Sequence, residues 1–331
     1  MRETSMLTRV LKAAVQRGAS DVHAKAGDVF RARVDGKLVP LTKSRLTTAQ
    51  TRALAATFAS MDLTDPRLDN LRDFNSSWGI PGVGRFRVNV LRQRSSFMVV
   101  LRVIPFSVPT PEGLGIPEVI TRFADVGRGM LVVAGSGGSG RTSTIAALVH
   151  HINRSSSRHV ITLEDPIEYL HRDLTGCITQ REIGTDTDDV ATGIQAALRQ
   201  DPDVVVIADL RDPVSLDRAV RTAESPRLVI VGVSAPDAVS AVTQLLMTMP
   251  PEERDAGRVR LAAALNAVVA QRLVPDPDGE GRRAEIEWVL AEGGFRAAIT
   301  AGGEPGALGK AFDRAVKDGR AEGFTLPAKA D

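Results

Sequence analysis

One segment constrains the fold more than any other. A short apolar run, Met130 to Ala134, leads directly into Gly135-Ser-Gly-Gly-Ser-Gly140-Arg141-Thr142, and the chain then takes up a helical pattern through Asn153. A strand that ends in glycines and restarts as a helix lets its backbone turn N–H groups inward, and the helix start adds a favourable dipole for anions. The spacing is that of the phosphate loop G-x-x-x-x-G-K-[ST], with arginine in place of lysine. The candidate phosphate-binding residues are therefore Gly135, Ser136, Gly137, Gly138, Ser139, Gly140, Arg141, Thr142 and Ser143. Thr142 keeps the hydroxyl that would hold Mg²⁺. Lysine offers a compact point charge between phosphates, whereas guanidinium is a larger planar fork. Arg141 suits a diphosphate better than a transferring γ-phosphoryl group.

Around this segment the pattern is one of short apolar runs separated by amphipathic helices. The runs MLVVA, HVITL, DVVVIA and LVIVGV predict a parallel sheet covered on both faces, from about Glu118 onward. Within the last fifty residues the signal weakens, with PDPDGEGRR reading as a loop and AGGEPGALG as an interruption. Residues 1–105 read as a small α+β unit. A helix is expected near Thr8–Arg17, strands at RARVD and KLVPL with an Asp35-Gly36 turn between them, and a helix capped by Thr47 running to Phe58. RFRVNVLRQ and SFMVVLRVI alternate apolar and basic residues, which predicts adjacent strands with Arg87, Arg92, Arg94 and Arg102 on one basic face. Between the two units, residues 106–117 are proline-rich and read as a linker.

Composition narrows the function classes. With 42 basic against 40 acidic residues the formal net charge is +2, so no attraction to nucleic acid is encoded in the total. A single cysteine, Cys177, excludes an internal disulfide or a cysteine zinc cage and points to a reducing compartment. Neither a secretory signal nor a run of the ~18 apolar residues that a spanning helix needs is visible, so membrane association would come through a partner.

Four further stretches carry a family resemblance. Ile161 to Tyr169 (ITLEDPIEY) resembles the aspartate box of the type II/IV secretion ATPases, and Gln180-Arg-Glu182 the segment that follows it there. Ala196 to Asp212 (AALRQDPDVVVIADLRD) resembles their Walker B region. Gly18-Ala-Ser-Asp-Val-His23 and Gly82 to Asn89 are similar to their N-terminal domain, and Ala270-Gln-Arg-Leu273 to their C-terminal half. The resemblance runs from about residue 8 to about residue 290. The absence of a four-cysteine zinc motif and of a long N-terminal extension favours the branch of type IV pilus retraction (twitching motility) ATPases. The resemblance implies an α/β fold, with a RecA-like P-loop nucleotide domain over 118–331 preceded by a small α+β (PAS-like) domain.

It further implies ATP or ADP with Mg²⁺ as cofactors, a ring of six or a mixed ring with a related motor, and a type IV pilus platform at the inner membrane as partner. The location it implies is cytoplasmic and peripheral. Residue by residue, Glu164 would organise Mg²⁺ or the attacking water, Asp209 would stand at the Walker B glutamate and share the metal with Thr142, and Arg87 and Arg102 would reach nucleotide at a domain or subunit boundary. A solvated sheet face explains these arginines equally well. Three departures fall on the same chemistry: Arg141 for lysine, Asp209 for glutamate, and Ser234 for the histidine of the family's histidine box. The C-terminal motif is altered too, keeping little beyond Arg296 and Ile299. Weak or absent hydrolysis is the expectation, with a competent retraction ATPase as the alternative.

Other candidates are weaker. His150 and His151 are adjacent on a helix and point apart, which is poor metal geometry. His23 reads as a fold or interface residue, Cys177 as a packed loop residue, and Trp78 and Trp288 are too isolated in the sequence to suggest a stacking platform.

Overall fold

A computed structural model describes residues 2–34, 36–104, 107–276 and 282–325. Asp35 of the expected turn, Pro105 and Phe106 at the expected boundary, 277–281 of the expected loop and the last six residues lie outside the described residues. The chain divides into two compact units, Met1–Ser107 and Val108–Asp331.

The first unit runs α1 (Arg2–Gln16), β1 (Asp21–Lys25), β2 (Arg31–Val34), β3 (Lys37–Pro40), α2 (Thr48–Phe58), α3 (Pro66–Asn70), β4 (Asp73–Ile80), β5 (Gly84–Gln93) and β6 (Ser96–Ile104). Among the described residues the strands form one six-stranded antiparallel sheet in the order β3-β2-β1-β6-β5-β4. Alternation decides its faces. Val22, Ala24, Phe86, Val88, Val90, Val99 and Leu101 point inward and pack beneath Leu7, Leu11 and Ala14 of α1 and Ala55 and Phe58 of α2. Helix α2 begins where its capping box requires: Thr47 accepts from the Gln50 N–H, and the Gln50 side chain accepts from the Thr47 N–H. Helix α1 starts six residues earlier than the sequence pattern suggests.

The expected basic face needs correction. Arg87 and Arg102 are direct cross-strand partners on the outward face, in one row with Asp21 and Arg33. Asp21 accepts from the Arg102 Nε at 3.0 Å, which relieves the like-charge pairing. Arg92, in register with the inward-facing residues, lies instead over the Phe97 ring at 5.0 Å. Arg94 sits in the β5–β6 turn with positive φ. A two-residue period cannot be carried through the turn that follows it.

The second unit runs α4 (Glu118–Asp125), β7 (Gly129–Ala134), α5 (Arg141–Ser155), β8 (His159–Glu164), β9 (Cys177–Glu182), α6 (Val190–Ala197), β10 (Val204–Ile207), α7 (Pro213–Glu224), β11 (Leu228–Val233), α8 (Ala238–Thr248), α9 (Arg254–Ala264), β12 (Leu265–Pro275), β13 (Arg282–Leu290), α10 (Gly293–Ala301), α11 (Pro305–Lys317) and β14 (Ala321–Thr325). Its sheet has the order β14-β13-β12-β7-β11-β10-β8-β9 among the described residues, parallel from β12 to β9 with β13 and β14 antiparallel at one edge. Every residue of β7, β10 and β11 is buried, because helices cover both faces. Leu131 and Val133 face α4 and α5, while Met130 and Val132 face the layer of α7, α8 and α9.

Three sequence expectations change here. The second half of the proline-rich stretch belongs to this unit, where Glu112–Leu114 forms a 3-10 turn and Ile116 joins the core. Residues 282–325 form strands and helices. The helix break is confined to Gly302–Glu304, and Pro305 opens α11 at a first-turn position where its missing N–H is harmless. Cys177 is the exposed first residue of β9, not a packed loop residue. No helix among the described residues is long and apolar enough to cross a membrane.

Leu148 of α5 is fully buried against the sheet. Leu148→Ala should cost about 2–5 kcal/mol through lost burial and a residual cavity. A urea titration followed by circular dichroism should show the loss as an earlier transition in the second unit.

Candidate nucleotide site

The C-terminal ends of four neighbouring parallel strands, β7, β11, β10 and β8, bring the candidate residues to one edge of the sheet. In this class of fold that edge is where ligands bind. Beyond β7 the chain passes through Gly135–Gly140 into α5, whose first turn holds Arg141, Thr142 and Ser143. Gly140 adopts a φ of 87°, a left-handed conformation that side chains resist. At Gly135 a Cβ would come within 2.1 Å of the Ser139 Oγ, so only glycine fits. Ser136, Gly137 and Gly138 are exposed at the tip. The loop is thus curled tightly; the Gly135 N–H is held by the Val233 carbonyl and the Ser139 N–H by the Ser136 carbonyl, and the N–H groups at its tip and the start of a fifteen-residue helix face the space a phosphate would fill.

Gln271 of β12 fixes this shape. It is buried, its Nε2 donates to the Ser139 carbonyl at 2.8 Å, and its Oε1 accepts from the Thr144 hydroxyl at 2.5 Å. One amide therefore ties the loop to the first turn of the helix. Sequence reasoning singled out Ala270-Gln-Arg-Leu273 as a motif but assigned Gln271 no part in the site.

Arg141 folds back over the loop. Its Nη1 donates to the Gly135 carbonyl at 3.0 Å, and its Nη2 lies 3.3 Å from Oδ1 of Asp209, an ion pair too poorly aligned for a hydrogen bond. The other oxygen of Asp209 accepts from Arg211, at 2.7 Å from Nε and 2.5 Å from Nη2. Asp209 therefore lies between two guanidinium groups. Arg211 is a second residue that the sequence reading left out, although it stands in the quoted Asp-Leu-Arg-Asp run. Ser234 follows β11 and is exposed, one residue past the Val233 carbonyl that accepts from the Gly135 N–H.

Glu164 ends β8 and is buried. The Thr162 hydroxyl donates to its Oε1 at 2.6 Å and Gln180 Nε2 donates to the same oxygen at 2.9 Å. Burial pushes its carboxyl above the usual range, against the pull of those two hydrogen bonds. The segment after it is tied down by the same partners. Gln180 also donates to the Tyr169 carbonyl, Glu182 accepts from the Ile167 N–H, and Tyr169 shares a 2.7 Å hydrogen bond with Ser143 in the first turn of α5. His171 accompanies this segment, and burial lowers its imidazole to about 4, so it is neutral.

A cavity of about 490 Å³ adjoins the loop, bounded by the 3-10 turn at Glu112–Leu114 on one side and by Gly140, Thr144, Leu273 and Arg282 on the other. That volume is in the range of small-molecule sites. The sequence reading placed its walls in a linker and a loop and so did not see it. Arg87 and Arg102 belong to the first unit, in the charged row already described.

Comparison with known proteins decides the family. The model for type II/IV secretion system proteins matches residues 3–302. The chain belongs to the type II/IV secretion system protein family. Within that family it is 36% identical over 284 residues to the type IV pilus ATPase PilU of Pseudomonas aeruginosa, covering 85% of this chain and 74% of that protein. It is 33% identical over 293 residues to the type IV pilus retraction ATPase PilT of the same organism, covering 88% and 85%. The crystal structure of the pilus retraction motor PilT with bound ADP superposes with a TM-score of 0.84 at 32% identity, over 94% of this chain and 89% of that one. The RecA-like α/β fold with an N-terminal domain is therefore that of the pilus motor branch. The altered C-terminal motif of this member has a structural use for what it keeps. Arg296 donates to the Ala291 and Leu265 carbonyls, and Ile299 is fully buried.

Two outcomes follow from the local chemistry. Gln271→Ala leaves the Thr144 hydroxyl and the Ser139 carbonyl without their buried partner, which should destabilise the second unit by about 1–3 kcal/mol for each group, visible as a lower melting temperature. Glu164 has a folded-state pKa above its unfolded value, so the folded state holds the proton longer and stability falls as pH rises from the ordinary carboxylate value to the raised one. Glu164→Gln retains an acceptor for both donors and removes that penalty. The variant should gain stability over wild type at neutral pH, with the gain shrinking below the ordinary carboxylate pKa, as read from urea midpoints at a series of pH values.

Proposed function

We propose that this chain is a nucleotide-binding ring subunit of a type IV pilus retraction machine whose own ATP hydrolysis is slow or absent. The kinship with PilU and PilT and the likeness to an ADP-bound motor support the pilus setting and the nucleotide. Ring assembly, alone or mixed with a related motor, and docking at an inner-membrane platform from the cytoplasm belong to the same reading. Gly135 to Ser143 would cradle the phosphates, with the adjoining cavity taking the nucleoside. Arg87 and Arg102 would serve at a boundary between domains or subunits.

The residues fit the phosphates better than they fit the metal. The glycine-shaped loop and the helix start are intact. Thr142 would offer its hydroxyl to Mg²⁺ and Asp209 its carboxylate, yet Oδ2 is held by Arg211 and Oδ1, which accepts no hydrogen bond, faces the Arg141 guanidinium at 3.3 Å. That engaged carboxylate is the observation on which the reading rests. Bound Mg²⁺ would neutralise phosphate charge. Of this chain's own groups, Glu164 is buried with its Oε1 already accepting from Thr162 and Gln180, and Ser234 offers a short hydroxyl where an imidazole would reach a γ-phosphate. Phosphoryl transfer depends on positioning and charge stabilisation, and each lost contact raises the barrier by roughly 2–4 kcal/mol, without additivity.

Steady-state phosphate release should place wild type about 10²–10³-fold below an active motor of the family measured beside it. Arg141→Lys should recover part of the rate, Arg141→Lys with Asp209→Glu more, and Ser234→His a further increment. A wild-type rate equal to that of the active motor, reduced by Arg141→Lys, would make this chain an ordinary retraction ATPase.

A further inference from the structure

We propose that this chain binds nucleoside di- and triphosphates without a divalent cation, the Arg141 guanidinium supplying the positive charge that a metal brings elsewhere. The inference deepens the nucleotide-binding reading above and rests on it. A P-loop metal is held between the loop hydroxyl and the Walker B carboxylate. Mg²⁺ demands oxygen ligands at close, near-octahedral geometry and gives up its water reluctantly. Here Asp209 has Oδ1 beside Arg141 and Oδ2 beside Arg211. Two guanidinium groups against one carboxylate leave a net charge of +1 where the cation would arrive. Arg141 and Asp209 are each only 18% exposed and their charges are weakly screened, while Arg211, at 76%, adds its charge from the solvent side. A polyphosphate meets the opposite situation, a net positive site at the mouth of an N–H-lined loop.

Arg141 is built in at this position. Its second anchor, the 3.0 Å hydrogen bond to the Gly135 carbonyl, holds the guanidinium against the first residue of the loop. Guanidinium carries five donors in a fixed plane, so it can keep one anchor while turning other N–H groups to phosphate oxygens. Lysine, with one point of charge, cannot hold the carboxylate and the loop in the same way. Asp209 in this arrangement positions an arginine and holds no metal.

The test is calorimetric titration of the full-length protein with ADP, once in excess EDTA and once in excess Mg²⁺. Binding in Mg²⁺ is expected to be no tighter than in EDTA, and weaker by the share of ADP that Mg²⁺ holds in solution. In parallel, electron paramagnetic resonance of Mn²⁺ added to the ADP-saturated protein should show no protein-dependent loss of the free-ion signal beyond that of ADP alone. Asp209→Asn should tighten ADP binding in EDTA by several-fold, since it removes a negative charge and frees both arginines; at a metal-dependent site it would instead weaken binding in Mg²⁺. Arg141→Lys should restore a preference for Mg²⁺. Binding more than threefold tighter with Mg²⁺ than with EDTA in wild type would overturn the inference and leave the nucleotide reading standing. Absence of ADP binding in both conditions would overturn the nucleotide reading, and the inference with it.

Discussion

The phosphate loop takes its shape from one buried amide. Gln271 reaches from β12 to both ends of a short segment, Ser139 and Thr144, and so fixes the pitch at which the loop enters α5. It can do so because β12 lies parallel to β7 and in direct register with it, Ala270 opposite Ala134. The order of strands in the sheet thus sets the shape of a loop that precedes β12 in the chain by well over a hundred residues. The glycines permit the curled backbone, and the glutamine selects it from the conformations that glycine would allow.

Much of the fold was legible in the sequence, and the reasons differ by element. The central strands were visible because burial on both faces makes them uninterrupted apolar runs, as in Val204–Ile207 and Leu228–Val233. Helix α2 was visible at its start because Thr47 and Gln50 satisfy each other locally. Strand β4 was not, since Asp73–Ile80 is a half-exposed edge strand with no clean alternation. Helices α10 and α11 were hidden by glycines at 302, 303, 306 and 309, although tertiary packing of Phe295, Ile299 and Leu308 overrides that weak propensity.

The site shows the same divide. The phosphate loop could be read because its residues are consecutive and its chemistry is carried by backbone. The identities of Arg141, Asp209 and Ser234 were equally plain, but what they do to one another was not. That Arg141 closes on Asp209, and that Arg211 takes the remaining oxygen, depends on β7 and β10 both bordering β11. The cavity beside the loop combines a 3-10 turn ahead of β7 with residues from β12 and β13. No local pattern announces a wall made from two such distant segments.

The two arginines on Asp209 differ in their access to solvent, and this makes the cluster lopsided. Arg211 is 76% exposed while Arg141 is 18% exposed. Dissolved ions at physiological strength act over a Debye length of about 8 Å and weaken the outer contact first. The inner arginine has a second anchor at the Gly135 carbonyl, whereas for the outer one Asp209 is the partner the structure shows. Rising salt therefore loosens the outer contact of Asp209 before the inner one.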